Sequence, residues 1–324
     1  MKYEKQERFS PLENAAATLK NKAVAIVGIG GLGSHSSEYL ARVGVGTLIL
    51  IDGDIVEETN LPRQGLYRYK DHKDSRFKVE AAKDALIEIN PDINIIAHRE
   101  MLKKENLLNF LSKADLVLDG SDNLATRYLI NDFCFQREIP WIYASATSSV
   151  GVVSNFVPGN TPCFRCVYGQ LDEDEVTCDA NGIILPILTL VASYQTTEAI
   201  KILLEKEFRK GEFRYNIWTG QNSELDLTTL YDECCPCQTN KWHSSQKINL
   251  YLVCRGETTQ ANTNLTKRQI KDKLTASGYQ MAGENETFVV LKKPHLEEKK
   301  IIAYKTGKVI FHQFNNEEIL ELLG

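Results

Sequence analysis

The chain has no run of ~18 consecutive apolar residues, so no segment is expected to span a membrane. Its longest apolar stretch, IILPILTLVASY, contains Pro186 and is expected to form a buried helix instead. The opening residues, MKYEKQERFS, carry no apolar core and do not read as a signal peptide. Positive charge is not in excess either. The formal net charge is −5, which argues against a general nucleic-acid binder. Internal repeats and low-complexity tracts are absent. With 43% hydrophobic and 25% charged residues, the composition is that of an ordinary globular protein, expected in the cytoplasm.

At 324 residues the chain accommodates one large domain and a small second one, at ~100–200 residues per domain. Apolar strands (AVAIVG, TLILID, INIIAH, DLVLDG, WIYASA) alternate with helical patterns near 32–43, 76–89, 104–112 and 123–137. Such alternation predicts an α/β fold, a Rossmann-like sheet that is mostly parallel and covered on both faces. After Ala146, VGVVSNFVPG predicts an antiparallel extension. The acidic stretch QLDEDEVTCDANG, a helix from about 187 to 204 and the strands FRYNIWTG and ELDLTTLY follow. The polar segment 238–246 is expected to link a domain over 1–240 to a small α+β module over 247–324. That module reads as strand INLYLVCR, helix TKRQIKDKLTAS, strands ETFVVLKK, KKIIAYK and KVIFHQF, and helix NNEEILELL.

The first strand leads into Gly28-Ile29-Gly30-Gly31-Leu32-Gly33, a complete G-x-G-x-x-G between strand and helix. Asp52 follows 19 residues after Gly33 and ends the next strand. This pattern places a phosphate against backbone at a helix N-terminus and an acid near ribose hydroxyls. On these residues alone a nicotinamide-dependent oxidoreductase fits as well as an ATP enzyme. Asn60, Arg63 and Gln64 shift the balance, because Arg presents a permanently charged fork suited to phosphate oxygens. Lys78 offers a second cation that would stabilise charge developing on a breaking phosphoryl bond, although surface charge is the ordinary fate of lysine. Asp122 and Asn123 follow the strand DLVLDG at the carboxyl edge of the sheet. There Asp122 serves equally well as a Mg²⁺ ligand or as a helix cap.

Eight cysteines in a reducing compartment are not expected to form structural disulfides. Cys163 with Cys166, and Cys234 with Cys237, form two C-x-x-C pairs, a strong signal for a tetrahedral structural Zn²⁺. The 67 residues between the pairs make this a staple joining distant segments. Cys178 has two readings. Proximity to a helix N-terminus would activate its thiol, whereas Asp174, Glu175 and Asp179 oppose activation and leave an incidental loop cysteine.

Taken in order, Gly28–Gly33, Asp52, the Asn60–Gln64 block, Lys78, Asp122-Asn123, both cysteine pairs and the T-C-D-x-x-G around Cys178 resemble the ThiF/MoeB-type adenylyltransferases, relatives of the ubiquitin-activating enzymes. The resemblance covers about residues 2–238. It implies ATP- and Mg²⁺-dependent adenylylation of the C-terminal glycine of a small ubiquitin-like sulfur carrier ending in Gly-Gly. Sulfur transfer would then serve thiamin or molybdopterin synthesis. It further implies a homodimer with structural Zn²⁺. The expected nucleotide site comprises Gly28, Gly30, Gly31, Gly33, Asp52, Asp54, Asn60, Arg63, Gln64, Lys78, Asp122 and Asn123. Arg63, Lys78 and Asp122 are its expected catalytic members, with Cys178 as the candidate covalent residue. Two departures stand out. Lys5 occupies the place of a family arginine that resembles a phosphate finger reaching across the dimer, with Arg8 as the alternative. The C-terminal module is not the rhodanese extension of some relatives. A scaffold that binds nucleotide and carrier without catalysis is the non-enzymatic alternative.

Overall fold

The computed structural model describes residues 2–168, 182–228, 249–253, 258–263, 265–284, 288–294, 296–304 and 308–323. Cys178, Cys234, Cys235, Cys237 and Cys254, and the expected linker 238–246, lie outside them. The described residues form two compact units, one over 2–168 and 183–228, the other over 249–323.

The first unit is built on strands β1 (Ala23–Val27), β2 (Thr47–Ile51), β3 (Asn94–His98), β4 (Leu116–Asp119), β5 (Trp141–Thr147), β6 (Val150–Phe156), β7 (Gly211–Asn216) and β8 (Asn222–Asp226). They pair in the order β3-β2-β1-β4-β5-β6-β7-β8. The first five run parallel, and β6 to β8 continue the sheet antiparallel. The expected sheet, with its antiparallel extension, is therefore the observed one. Val24, Ile26, Leu48, Leu50, Leu116 and Leu118 are completely buried. Burying each contributes roughly 1.5–3 kcal/mol, which is why continuous apolar runs rather than alternating ones become these strands. Helices Gly31–Val43, Lys78–Ile89 and Leu124–Gln136 follow β1, β2 and β4, and Leu185–Leu203 packs against the first of them. Strand order reverses between β1 and β4, so the carboxyl ends of β1, β2 and β4 enclose the crevice where such sheets bind ligands.

The second unit is an antiparallel sheet of β9 (Asn249–Val253), β10 (Thr258–Asn262), β11 (Gln280–Glu284), β12 (Phe288–Lys293), β13 (Leu296–Tyr304) and β14 (Lys308–His312), ordered β11-β12-β13-β14-β10-β9. Val289, Leu291, Ile301, Val309 and Phe311 point to one face, where Ile270 and Leu274 of helix Lys267–Ala276 and Ile319 and Leu323 of helix Asn316–Leu323 cover them. Thr266 and Gln269 close a capping box at the first of these helices. Strands β10 and β11 were not expected from the sequence. TTQAN and QMAGE have no apolar run, and β11 is an exposed edge.

Candidate active site

Gly28 leaves β1 at φ +84°, and a Cβ there would stand 2.6 Å from the Gly120 carbonyl oxygen. A Cβ on Gly33 would lie 1.9 Å from the Gly28 oxygen, and one on Gly120 would lie 2.5 Å from it. These glycines let the turn, the helix and the end of β4 touch backbone to backbone, so Gly28 and Gly33 have a packing duty whatever the loop binds. Gly30 and Gly31 differ. Beside Gly30 the nearest atom to a built Cβ is Gln64 Nε2 at 3.8 Å, which leaves a cradle over the start of helix Gly31–Val43. Beside Gly31, both Leu188 methyls stand 3.1 Å from the Cβ position and Arg63 Nη1 3.5 Å from it.

The loop is locked at Ile29 from both sides. Asp52 Oδ2 accepts the Ile29 N–H at 2.7 Å, and the buried Tyr67 hydroxyl donates to the Ile29 carbonyl at 2.5 Å. Asp52 Oδ1 accepts from Asp54 N at 2.8 Å. Asp52, expected to bind ribose, thus also has a structural duty. Burial raises its pKa, against the pull of the nearby Lys78 ammonium. Lys78 opens helix Lys78–Ile89, donates its backbone N–H to the Asp54 carbonyl at 2.8 Å, and places Nζ 3.1 Å from Asp54 Oδ2. Burial disfavours its charge, but the carboxylates of Asp52, Asp54 and Asp122 prevail and hold the ammonium well above the ordinary lysine range. Lys78 is therefore a buried, fixed cation and not surface charge.

Asn60 shapes the loop that carries the arginine. Its Oδ1 accepts from Glu57 N at 3.0 Å, and its carbonyl accepts from Arg63 N and Gln64 N at 3.1 and 2.9 Å. Among the described residues the buried Gln64 Oε1 has no hydrogen bond. At the end of β4, Asp119 is fully buried, pairs with Arg127 at 3.0 Å and accepts from Ser121 N at 2.9 Å. Burial raises the Asp119 pKa, against the pull of Arg127. Asn123, expected to touch nucleotide, caps helix Leu124–Gln136, with Oδ1 accepting from Thr126 N at 2.9 Å. Its Nδ2 donates to Asp122 Oδ1 at 3.3 Å. Capping thus falls to Asn123 and leaves Asp122 exposed, within electrostatic reach of Lys78.

Gln195 is a residue the sequence reading missed. Its Nε2 donates to the Asp119 and Ile142 carbonyls at 2.8 and 3.2 Å, and its Oε1 accepts from Ser36 Oγ at 2.7 Å. It ties helix Leu185–Leu203 to the floor of the crevice. The signal was available: a polar residue on the stripe of Leu188, Val191 and Ala199 that the helix buries.

Cys163 and Cys166 hold their sulfurs 3.7 Å apart across one turn. Thiolates arranged tetrahedrally at ~2.3 Å from Zn²⁺ stand ~3.8 Å from one another, so this pair fits half a zinc site. The turn is pinned by Phe164 N donating to Asn131 Oδ1 and by a bidentate Arg165–Asp132 pair, all at 2.8 Å. Lys5 lies exposed on the short helix Glu4–Glu7. Its neighbour Gln6 bonds the Val43 carbonyl at 3.3 Å, at the far end of the glycine-loop helix. Thirteen helical residues span ~20 Å, so Lys5 stands far from the glycine loop of its own chain.

Parallel strands with a glycine turn at their switch point make this a nucleotide-binding protein of the Rossmann class. Within that class the chain belongs to the ThiF family, whose pattern matches residues 3–237. The sulfur carrier protein ThiS adenylyltransferase of Bacillus subtilis (strain 168) is 30% identical over 320 residues, 97% of this chain and 95% of that protein. The molybdopterin-synthase adenylyltransferase of Escherichia coli (strain K12) is 40% identical over 186 residues, 57% of this chain and 74% of that protein. In three dimensions the chain is similar to the microcin C7 biosynthetic enzyme MccB in complex with N-formylated MccA. The TM-score is 0.65 at 23% identity, over 73% of this chain and 75% of that one. The chain is an adenylyltransferase, and none of these relatives favours the nicotinamide alternative. No helix among the described residues is long and apolar enough to cross a membrane.

Proposed function

We propose that the chain uses ATP to adenylylate the C-terminal glycine of a small ubiquitin-like sulfur carrier of ThiS or MoaD type, for thiamin or molybdopterin biosynthesis. The carrier carboxylate attacks the α-phosphorus, the α–β anhydride bond breaks, and its electron pair leaves with pyrophosphate. The observation that carries this reading is Lys78, a buried ammonium held by Asp54 beside a glycine loop over which Arg63 also stands. Because its pKa is raised, Lys78 keeps its proton and acts as a fixed charge rather than as an acid. Arg63 adds a fork for phosphate oxygens, and the cradle beside Gly30, with the unsatisfied Gln64 Oε1, accommodates the nucleotide.

Asp122 is the carboxylate suited to Mg²⁺, which when bound would neutralise phosphate charge. Cys163 and Cys166, with Cys234 and Cys237, are assigned to structural Zn²⁺, in keeping with a cytoplasmic location where thiols stay reduced. The chain acts as a homodimer in this reading, with Lys5 contributed across the dimer and Cys178 available to bond the carrier. The full-length match to the Bacillus relative, which extends through the C-terminal module, favours a ThiS-type carrier over a MoaD type.

The test is to incubate the protein with ATP, Mg²⁺ and each carrier type, then to measure pyrophosphate exchange and the intact carrier mass. A carrier heavier by one adenylyl group (AMP less water), with exchange dependent on its Gly-Gly end, is the expected result. ATP binding with no carrier modification and no exchange would leave only the scaffold alternative.

A further inference from the structure

His35 sits on the second turn of the glycine-loop helix, nearly buried, at a position no expected site residue occupies. Its Nε2 lies 3.2 Å from the carbonyl oxygen of Arg63, across a sequence separation of 28 residues. A carbonyl only accepts, so this ring nitrogen carries the hydrogen and donates it. The ring also fills the place a side chain at position 65 would take. A Cβ on Gly65 would stand 2.9 Å from His35 Cε1 and 3.1 Å from Nδ1. The loop of Asn60 to Gly65 is therefore held at two points. Asn60 ties its base, and the imidazole ties its crown to the helix that begins at the glycine loop.

Between those ties stands Arg63, whose guanidinium comes within 3.5 Å of the Gly31 Cβ position. A guanidinium on a loop keeps its register only if the backbone that carries it is fixed. We infer that His35 is a positioning residue for adenylyl transfer: by clamping the Arg63 carbonyl it holds the Arg63 guanidinium over the phosphate cradle. The inference rests on the reading that Arg63 acts on the ATP phosphates.

The test compares His35→Leu, which fills the space but donates nothing, with His35→Gln, whose amide keeps a donor at similar reach. Both are made in the full chain and again with Arg63→Ala. Carrier-dependent pyrophosphate exchange is measured as kcat and as KM for ATP, alongside the melting temperature. His35→Leu is expected to lower kcat/KM by about 10²-fold, the scale of a misplacement of ~1 Å, while still melting cooperatively. His35→Gln is expected to recover most of that loss. In the Arg63→Ala background, His35→Leu is expected to add little.

Wild-type kinetics in His35→Leu, no rescue by Gln, or a full additive loss on top of Arg63→Ala would each overturn the inference. If Arg63→Ala alone keeps full exchange, the reading of Arg63 fails and the inference falls with it. If Arg63→Ala is inactive while His35→Leu is not, only the inference fails.

Discussion

The two strand ends that frame the crevice use their carboxylates differently. After β2, Asp52 is buried, with both oxygens accepting main-chain amides, and Asp54 holds Lys78. After β4, Asp119 takes the buried ion pair and Asn123 takes the helix cap, so Asp122 is left exposed between them. In the proposed reading, scaffold and chemistry share residues at β2 and are separated at β4. Substitutions at β4 are therefore expected to separate activity from stability, and those at β2 to move both together.

The sharpest separation is expected of Asp122→Ala. It should reduce carrier-driven ATP–pyrophosphate exchange about 10²–10³-fold while leaving urea stability within about 0.5 kcal/mol. A melting loss equal to that of an Asp52 variant would erase the contrast. Asp52→Ala orphans the amides of Ile29 and Asp54, at about 1–3 kcal/mol each, so denaturant midpoint and activity should fall together. Helix Leu124–Gln136 extends the β4 arrangement to the cysteine turn through Asn131 and Asp132. Metal analysis of reduced protein is expected to give about one zinc per chain, lost in Cys163→Ser, whereas metal-free fresh protein would refute the staple. Asn123→Ala removes the cap and the donor to Asp122 Oδ1 and should cost about 1 kcal/mol, with a smaller activity loss than Asp122→Ala.

The smallest expected effect comes from pH. Burial lowers the pKa of His35, so the unfolded chain binds more protons than the folded one just below the ordinary histidine value. Stability from this residue is full above about pH 6.5 and falls as pH drops toward the folded value. His98 and His312 shift in the same direction. The readout is therefore the part of the acid-side drop in melting temperature that His35→Gln removes.

The parallel half of the first unit was legible because strands buried on both faces need apolar residues at every position, as AVAIV and TLILI show. Its antiparallel end was less so. FRYNIWTG was expected to run as a strand to Gly220, but β7 stops at Asn216, whose Oδ1 accepts from Trp218 N and Thr219 N and closes a turn. In the site, the residue types around Lys78 and Arg63 were visible, because charge in a fixed order after each strand is a local pattern. The division of labour between Asp122 and Asn123 was not, since either side chain caps a helix well. His35 and Gln195 were missed because their partners are carbonyls 28 and 76 residues away, and backbone acceptors leave no mark in a sequence.

The contact among Gly28, Gly33 and Gly120 has an evolutionary consequence. Three backbones meet at one point, and a methyl on any of them would collide with a main-chain atom that no side-chain adjustment can move aside. Substitution at this point is closed to single steps, because no side chain at any of the three positions fits without moving main chain. Gly30 is open to such a step, since a methyl there meets nothing nearer than 3.8 Å.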